Sequence, residues 1–238
     1  MKKLLIIPAF NEAKNLPKLI AEIKEKAPDY DYVIINDGST DDTKKICKEH
    51  NLNVLNLPLN LGIGGAMQTG YLYALENNYD IAVQIDGDGQ HDPLYIDKVV
   101  EPILKGEADL SIGSRFIEKE GFQSSLLRRI GISLLGFIIM ILTGKRFYDV
   151  TSGLRACNRK VINCFVNSYP EDYPEPESLM MLAMLDFKIL EIPVIMRERA
   201  FGVSSIYFIA AVYYMIKVIL SLFLIRIRNK NKMFAPIK

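Results

Sequence analysis

Short apolar runs alternate with helical patterns along the first half of the chain. Apolar runs of strand length occur at residues 3–10, 32–36, 53–58, 81–86 and 108–116. Between the first two runs, apolar residues recur at the three- and four-residue spacing of an amphipathic helix. Strands that alternate with helices predict an α/β fold with a mostly parallel, doubly wound sheet. In such sheets ligands bind at the carboxyl ends of the strands.

The fourth apolar run ends in an unusual concentration of acid. Asp86 and Asp88 stand one residue apart, and Gly87 and Gly89 alternate with them. Two carboxylates at this spacing can converge on a hard cation such as Mg²⁺ or Mn²⁺, which prefers oxygen ligands and often shares them with substrate phosphates. Aspartate pairs also form ordinary turns, which is the alternative interpretation. The position after a buried strand favours the cation site.

Other polar groups follow neighbouring strands and would face the same crevice. They include the segment PAFNE at 8–12, Asp37 in NDGSTD, and NLGIGG at 60–65, which opens a helix whose amides could hold an anion. The glycines lack the GxGxxG and Walker spacings, which disfavours dinucleotide and P-loop sites. These loops therefore predict a nucleotide site, and turn chemistry at Asp37 is the alternative.

Arginines also follow two of the predicted strands. Arg115 comes after the fifth apolar run, and Arg197 and Arg199 come after the last strand-like run, FKILEIPVIM. A planar guanidinium suits bidentate contact with phosphate. At the same sheet edge as an aspartate pair, these arginines would clamp a diphosphate. Solvation at the surface is the alternative for each of them.

Two hydrophobic segments lie outside this pattern. Residues 130–143 are apolar almost all round but fall short of the roughly 20 residues that cross a bilayer, so we expect a core helix or an interfacial one. Basic residues flank this segment, which favours a helix beside anionic head groups.

Residues 206–225 have the length of a membrane span, interrupted by Lys217. The basic stretch RIRNKNK follows them, and the positive-inside rule keeps such a stretch cytoplasmic. The sequence therefore favours an interfacial or re-entrant helix, with burial in a homo-oligomer interface as the alternative. We expect a catalytic domain at 1–205 and a membrane-associated hydrophobic helix with a basic tail at 206–238.

Composition narrows the class of partners. The 238 residues carry a formal net charge of +1, so nothing supports nucleic-acid binding, which requires a basic domain. Three cysteines without CxxC spacing fit neither a disulfide framework nor a zinc site and indicate a reducing compartment. The first apolar run is too short for the hydrophobic region of a signal peptide. We therefore expect the catalytic part on the cytoplasmic side.

In combination, the motifs resemble those of family 2 glycosyltransferases with the GT-A fold. Within that family the chain is most similar to polyprenyl-phosphate sugar synthases such as dolichyl-phosphate mannose synthase. The resemblance extends from about Leu4 to Ser205. The segments that carry it, in the family's order, are IIPAFNE, INDGSTD, NLGIGGA, DGDGQHDP, GSRF, TSGLRACNRKV and RERAFGVSS.

The resemblance implies roles for particular residues. Those expected to contact the nucleotide or the donor are Pro8, Ala9, Phe10, Glu12, Asp37, Gly64 and Arg199. Asp86, Asp88 and Gln90 match the positions for the metal and the diphosphate. Arg115 matches an arginine near the transferred phosphate. Arg129 and Ser133, four residues apart, resemble a cradle for the lipid phosphate.

The resemblance leaves the general base open. Where many family 2 enzymes have a GluAsp pair, this chain has the acidic loop PEDYPEPE, with Asp172, Glu175 and Glu177 as candidates. A sugar hydroxyl acceptor needs a base, whereas a phosphate acceptor is already anionic near pH 7. The absence of tryptophan excludes a QxxRW motif and therefore disfavours a processive synthase.

The sequence thus predicts an inverting, metal-dependent enzyme that moves one sugar from a UDP- or GDP-sugar to a polyprenyl phosphate. We expect it at the cytoplasmic face of the cell membrane, with Asp88 and Arg115 in catalysis. The alternative is transfer to a sugar hydroxyl of a lipid-linked glycan, with Glu177 or Asp172 as base. A catalytically idle partner of a membrane complex is a third hypothesis, which the intact motif set disfavours.

Overall fold

The computed structural model describes residues 1–198 and 208–230, and in the last helix it describes the side chains of residues 213–227. The described residues form a seven-stranded sheet in the order β3-β2-β1-β4-β6-β5-β7. The strands are β1 Lys3–Ala9, β2 Asp31–Asn36, β3 Val54–Asn56, β4 Ile81–Gln84, β5 Leu110–Ser114, β6 Arg155–Asn158 and β7 Ile189–Pro193. Every neighbouring pair is parallel except those that β6 makes with β4 and β5. The α/β fold with a mostly parallel sheet is therefore confirmed.

Helices cover both faces of the sheet. They are α1 Leu16–Lys26, α2 Thr43–Glu49, α3 Gly62–Glu76, α4 Ile96–Leu104, α5 Leu126–Thr143, α6 Arg159–Asn167, α7 Pro174–Met184 and α8 Phe208–Lys230. Successive residues of β1 enter different cores, because side chains alternate along a strand. Leu4 and Ile6 pack with α3, α6 and α7, whereas Leu5 and Ile7 pack with α1 and α4. Burial on both faces explains the continuous apolar run.

The sequence pattern does not indicate strand β6. It is four residues long, contains Arg155 and Asn158, and lies between β4 and β5. Both of its pairings are antiparallel, so it inserts into the sheet without the crossover helix that marks a parallel strand. A short polar-containing segment of this kind lacks the periodic signal of the other strands.

Helix α5 is longer than the sequence pattern indicates. It begins at Leu126, where the Ser125 hydroxyl accepts from the Arg128 amide, and it ends before Gly144, whose φ is 74°. Its 18 residues rise about 27 Å at 1.5 Å each. The expectation that this segment is too short to span a membrane is therefore wrong. Among the residues that the structure describes, α5 is the helix long and apolar enough to cross one.

The C-terminal half of the acidic segment is helical. The expected loop PEDYPEPE becomes helical at Pro174, so Glu175 and Glu177 lie in the first turn of α7. Proline is well tolerated at that position, because the first helical N–H has no partner in the helix. Helix α8 packs against α7 and α5. The rings of Tyr173 and Tyr214 meet edge to face, with centroids 4.6 Å apart.

Candidate active site

The loop after β4 holds Asp86 by contacts on several sides. His91 is buried, and its Nε2 lies 3.2 Å from Asp86 Oδ2, while Gln84 Nε2 lies 3.4 Å from Oδ1. Burial acts to raise the pKa of Asp86, but the hydrogen bond and charge of His91, with the Gln84 amide, bring it below its usual value. Asp86 is therefore held as an oriented carboxylate.

Glycines allow this loop to approach its neighbours. The Gly87 amide lies 3.3 Å from the Pro8 carbonyl oxygen, and a Cβ on Gly87 would stand 2.9 Å from that atom. A Cβ on Gly153, in the segment TSGLR, would collide with the Asp86 carboxylate. Sequence reasoning did not single out Gly153. The sequence feature that could have identified Gly153 is its place in the TSGLR motif, two residues before the arginine.

Asp88 and Gln90 are fixed by backbone contacts. The Gln90 amide donates to Asp88 Oδ1 at 3.0 Å. Gln90 also pairs with the segment after β7, because the Arg197 amide donates to its carbonyl at 2.9 Å and its Nε2 donates to the Arg197 carbonyl at 3.3 Å. Gly89 has a φ of 75° and open space beside it. The loop therefore leaves open space next to Asp88, because residue 89 has no side chain.

The donor atoms of this loop fit a divalent cation. Asp86 and Asp88 supply hard carboxylate oxygens from one short loop. Within residues 1–198 and the described part of α8, no group of three or more His, Cys, Asp or Glu side chains forms a metal site. A partial set of this kind suits Mg²⁺ or Mn²⁺, which one or two carboxylates often hold together with substrate phosphates and water.

Two of the predicted nucleotide loops are hydrogen-bonded to each other. Asn11 Oδ1 accepts from the amides of Thr40 at 2.8 Å and Asp41 at 3.2 Å, with Asn11 in the left-handed region at φ 59°. The Glu12 amide donates to Thr43 Oγ1 at 2.9 Å. Pro8 and Ala9 end the buried strand β1, and Phe10 next to them is 46% exposed. These contacts bring the loops after β1 and β2 together at the sheet edge.

The third loop joins them through Asp37. This buried carboxylate accepts from the Leu61 amide at 2.7 Å through Oδ1. Gly38 follows with φ 64°, and a Cβ there would lie 2.6 Å from the Asn60 amide nitrogen. Gly64 is the residue expected to contact the nucleotide. Packing alone requires a glycine there, because a Cβ would collide with the backbone carbonyls of Pro170 and Glu171.

Arg115 lies at the sheet edge in a buried ion pair. Its Nε and Nη2 each contact one carboxylate oxygen of Asp149 at 2.6 Å, and Nη2 also donates to Thr151 Oγ1 at 3.0 Å. The guanidinium carbon stands 5.1 Å from the centroid of the Phe116 ring, and its charge helps to lower the pKa of Asp86. Most of its donors are therefore engaged within the protein. Arg199 lies outside the described residues.

The candidate acids face different directions. Asp172 is exposed, and Glu177 hydrogen-bonds Ser221 of α8. Glu175 instead faces the crevice, with Oε1 3.5 Å from Gln84 Nε2, the amide that also contacts Asp86. Burial raises the pKa of Glu175, the charge of Arg155 opposes this, and Asp86 adds to the rise. Glu175 is the candidate acid beside the Asp86 loop.

A wide groove runs along the exposed side of α5. Its volume is about 1050 Å³. Arg129 and Ser133 project into it from consecutive turns, as the spacing predicts. The lining residues are Phe116, Ile117, Lys119, Gln123, Leu126, Arg129, Ile130, Ser133, Gly136, Phe137, Met140, Arg146, Phe147 and Tyr148. The groove is thus largely apolar with basic groups, and Phe116 connects it to Arg115.

The sheet, the strand-end carboxylates and the joined polar loops agree with the α/β fold that the motifs lead us to expect. The chain belongs to glycosyl transferase family 2, whose sequence model matches residues 4–165. It is a glycosyltransferase, as the sequence predicts.

Curated relatives extend this similarity over most of the chain. The chain is 28% identical to polyprenol monophosphomannose synthase of Mycolicibacterium smegmatis, over 86% of this chain and 80% of the relative. It is 34% identical to the UDP-N-acetylglucosamine–dolichyl-phosphate N-acetylglucosaminyltransferase of Methanococcus voltae, over 66% and 70%. Recognition of polyprenyl-phosphate sugar synthases among its relatives is therefore confirmed.

A solved structure shares the fold. Glucosyl-3-phosphoglycerate synthase from Mycobacterium tuberculosis, crystallised with Mn²⁺, UDP-glucose and phosphoglyceric acid, superposes with a TM-score of 0.72. The superposition covers 94% of this chain and 79% of the synthase at 20% sequence identity. At that identity the similarity concerns the fold.

Proposed function

We propose that this protein transfers one sugar from a UDP- or GDP-sugar to a polyprenyl phosphate with inversion at the anomeric carbon. The observation that carries the proposal is the pairing of two unlike surfaces. A polar crevice holds Asp86 and Asp88, and an apolar groove with Arg129 and Ser133 lies along α5. A water-soluble donor suits the first surface, and an amphiphilic acceptor suits the second.

On the donor side, Asp86, Asp88 and Gln90 would hold Mg²⁺ or Mn²⁺ with the diphosphate. The bound cation supplies Lewis-acid neutralisation of the charge that grows on the leaving nucleotide. His91 and Gln84 orient Asp86 for this task. The hydrogen-bonded loops after β1 and β2, with Asp37, would form the nucleotide pocket. Arg199 stays an expected donor contact.

On the acceptor side, the lipid phosphate would lie against Arg129 and Ser133. Both side chains are exposed to the groove, and a guanidinium forms strong charge-assisted hydrogen bonds with phosphate. The phosphate is anionic near pH 7, so its oxygen attacks without a protein base. Attack from the face opposite to the leaving diphosphate inverts the anomeric carbon. The isoprenoid chain would follow the apolar walls of the groove.

We propose that α5 and α8 bind the cytoplasmic face of the membrane, with 206–238 as the membrane-associated segment. Both helices expose large apolar side chains: Leu126, Leu127, Ile130, Leu134, Phe137 and Ile141 on α5, and Tyr213, Ile216, Leu220, Phe223, Leu224 and Ile227 on α8. Arg128, Arg129 and Arg146 accompany them, as expected for a surface that contacts anionic head groups. Co-sedimentation with anionic vesicles tests this. We expect Phe137→Glu with Ile141→Glu to reduce binding, and unchanged binding would contradict it.

Transfer to a sugar hydroxyl is a second candidate, which the position of Glu175 favours. This carboxyl has a raised pKa and lies beside the Asp86 loop, so it could accept a proton from a hydroxyl near neutral pH. Glu175 replaces Asp172 and Glu177 as the base in this hypothesis. Glu175→Gln would abolish transfer to a hydroxyl acceptor, which needs a base. It would spare transfer to a phosphate acceptor, because the phosphate is already an anionic nucleophile.

The deciding experiment is turnover by purified, detergent-solubilised protein with Mn²⁺. A panel of UDP- and GDP-sugars is supplied with undecaprenyl phosphate, and the lipid fraction is analysed by mass spectrometry. A phosphodiester-linked lipid monosaccharide is the expected product, and it identifies the donor in the same step. Donor hydrolysis without a lipid product would contradict the proposal and would move attention to a glycan acceptor.

A further inference from the structure

Arg155 is a buried cation that neither the donor site nor the acceptor groove accounts for. It lies on β6, directly opposite Gln84 of β4 in an antiparallel pair, and it is 2% exposed. Opposed residues of such a pair point to the same face of the sheet. Arg155 therefore lies on the same side as the Gln84 amide, which contacts both Asp86 and Glu175.

The guanidinium of Arg155 donates to backbone atoms of two separate segments. Nε donates to the Ser152 carbonyl at 2.7 Å, and Nη2 donates to the Val150 carbonyl at 3.1 Å. Nη1 donates to the Glu175 carbonyl at 2.8 Å and to Ser178 Oγ at 3.1 Å. One rigid fork thus binds the turn at 150–152 to the first turn of α7.

Each bound segment supports one side of the reaction centre. The turn at 150–153 ends in Gly153, which packs against the Asp86 carboxylate so closely that a Cβ would collide with it. Ser152 Oγ also donates to the Gly113 carbonyl at 2.5 Å, which fixes the turn to β5. The first turn of α7 carries Glu175, and its outer side carries Glu177 and Tyr173, which contact α8.

We infer that Arg155 is a positioning residue that sets the separation between the Asp86 loop and the first turn of α7. This inference rests on the proposed function, because it assigns those two elements to the donor and to the neighbouring wall of the crevice. Arg155 makes its guanidinium contacts with protein atoms. It acts because a planar, five-donor guanidinium fixes several carbonyls at once, which a lysine ammonium does with far less directional control.

The test compares Arg155→Lys with Arg159→Met, a control at a second arginine that binds backbone carbonyls. Arg159, directly after the other end of β6, is partly buried and also donates to backbone carbonyls, at 2.9 Å to Tyr79 and 3.5 Å to Leu75. Ser178→Ala removes only the hydroxyl contact of Arg155 and is a milder second variant should Arg155→Lys fold poorly. Folded fraction is measured for each variant by thermal unfolding.

We expect Arg155→Lys to lower kcat by about 10²-fold per folded molecule, since a displacement of 1 Å near a reacting centre can have that effect. The KM for the donor and the Kd for the nucleotide with Mn²⁺ should change by much less than kcat. Ser178→Ala should show a smaller loss of the same kind, and Arg159→Met should leave kcat per folded molecule unchanged. If the role of Arg155 were purely structural, Arg155→Lys would lower the folded fraction, but kcat per folded molecule would not fall relative to KM.

Hydrogen exchange provides a readout that does not depend on turnover. In Arg155→Lys we expect faster exchange in peptides that cover 148–156 and 173–182, and no such change in Arg159→Met. Wild-type kcat per folded molecule in Arg155→Lys, or unchanged exchange in both peptides, would overturn the inference. A wild-type protein that makes no lipid product would instead contradict the proposed function, and the exchange measurement would still decide the role of Arg155.

Discussion

The polar crevice around Asp86 and the apolar groove along α5 are built by different kinds of interaction. In the crevice, short loops are fixed by hydrogen bonds and close glycine contacts, such as the bond that the Thr40 amide donates to Asn11 Oδ1 and the close approach of Gly87 to the Pro8 carbonyl. The groove along α5 is formed mainly by exposed apolar side chains. The crevice can select a ligand by the positions of its polar groups, whereas the groove can select one mainly by its shape and hydrophobicity.

Under the proposed function, this difference would let one chain bind two unlike substrates. A nucleotide diphosphate presents a fixed arrangement of charges, so loops with fixed donors and carboxylates suit it. An isoprenoid chain has no polar pattern to match, so only its phosphate can be recognised by directed contacts. Arg129 and Ser133 lie in the groove, where the proposed function would use them for that contact, and Arg115, beside Phe116, lies between the two surfaces.

The largest expected effect is on the donor side. Asp88→Ala should lower turnover by at least about 10²-fold, because it removes a proposed ligand of the cation that would neutralise charge on the leaving diphosphate. The measurement is lipid-linked product formed per minute from a radiolabelled donor. Asp29→Asn, an exposed aspartate far from the loops, is the control. Full activity in Asp88→Ala would refute the metal role and the division into donor and acceptor surfaces.

A smaller effect is expected on the acceptor side. Arg129→Met should raise the KM for polyprenyl phosphate about tenfold, because a hydrogen bond to a charged group contributes about 1.5 kcal/mol or more. The KM for the donor should not change. Arg128→Met is the matched control, since the charge of Arg128 acts on Tyr214 of α8. Equal changes in both KM values would show that the two surfaces are not separate.

The smallest effect concerns the ion pairs that hold the donor loop. Asp92 contacts Lys26 Nζ at 3.1 Å and Arg197 Nη2 at 2.5 Å. Burial acts to raise the pKa of Asp92, but the Leu94 amide, Arg197 and Lys26 bring it below its usual value. We expect Asp92→Asn to lower the free energy of unfolding by about 1 kcal/mol at pH 7.

The pH dependence of that loss has a definite sign. Because the pKa of Asp92 is lower in the folded state, its contribution is complete above the unfolded pKa of about 3.9 and disappears as the pH falls through the folded value. The difference in the free energy of unfolding between wild type and Asp92→Asn, measured with urea, should therefore disappear below about pH 4. Glu101→Gln, which removes an exposed pair with Lys105, should change little. A gap that persists at low pH would exclude the ion pairs as its cause.

Several parts of the site could be predicted because their signals are local. The strand-end positions of Asp86, Asp88 and Asp37 follow from apolar runs that end in polar residues, and the spacing of Arg129 and Ser133 places both on one helix face. Other features required contacts between distant segments. Arg115 pairs with Asp149, and Glu175 lies near Gln84 of β4; each contact joins segments that are far apart in the chain.

The amino-acid sequence by itself determined the alternating α/β order, the loops at the carboxyl ends of the strands and the family, because periodicity and motifs are properties of adjacent residues. Tertiary structure alone decided that β6 inserts antiparallel beside β4, that α5 begins at Leu126 and lines the groove, and that Arg155 joins the 150–152 turn to α7. The physical reason is that a buried guanidinium or a helix face acquires its role from the carbonyls and side chains it meets. Those partners lie far away in sequence.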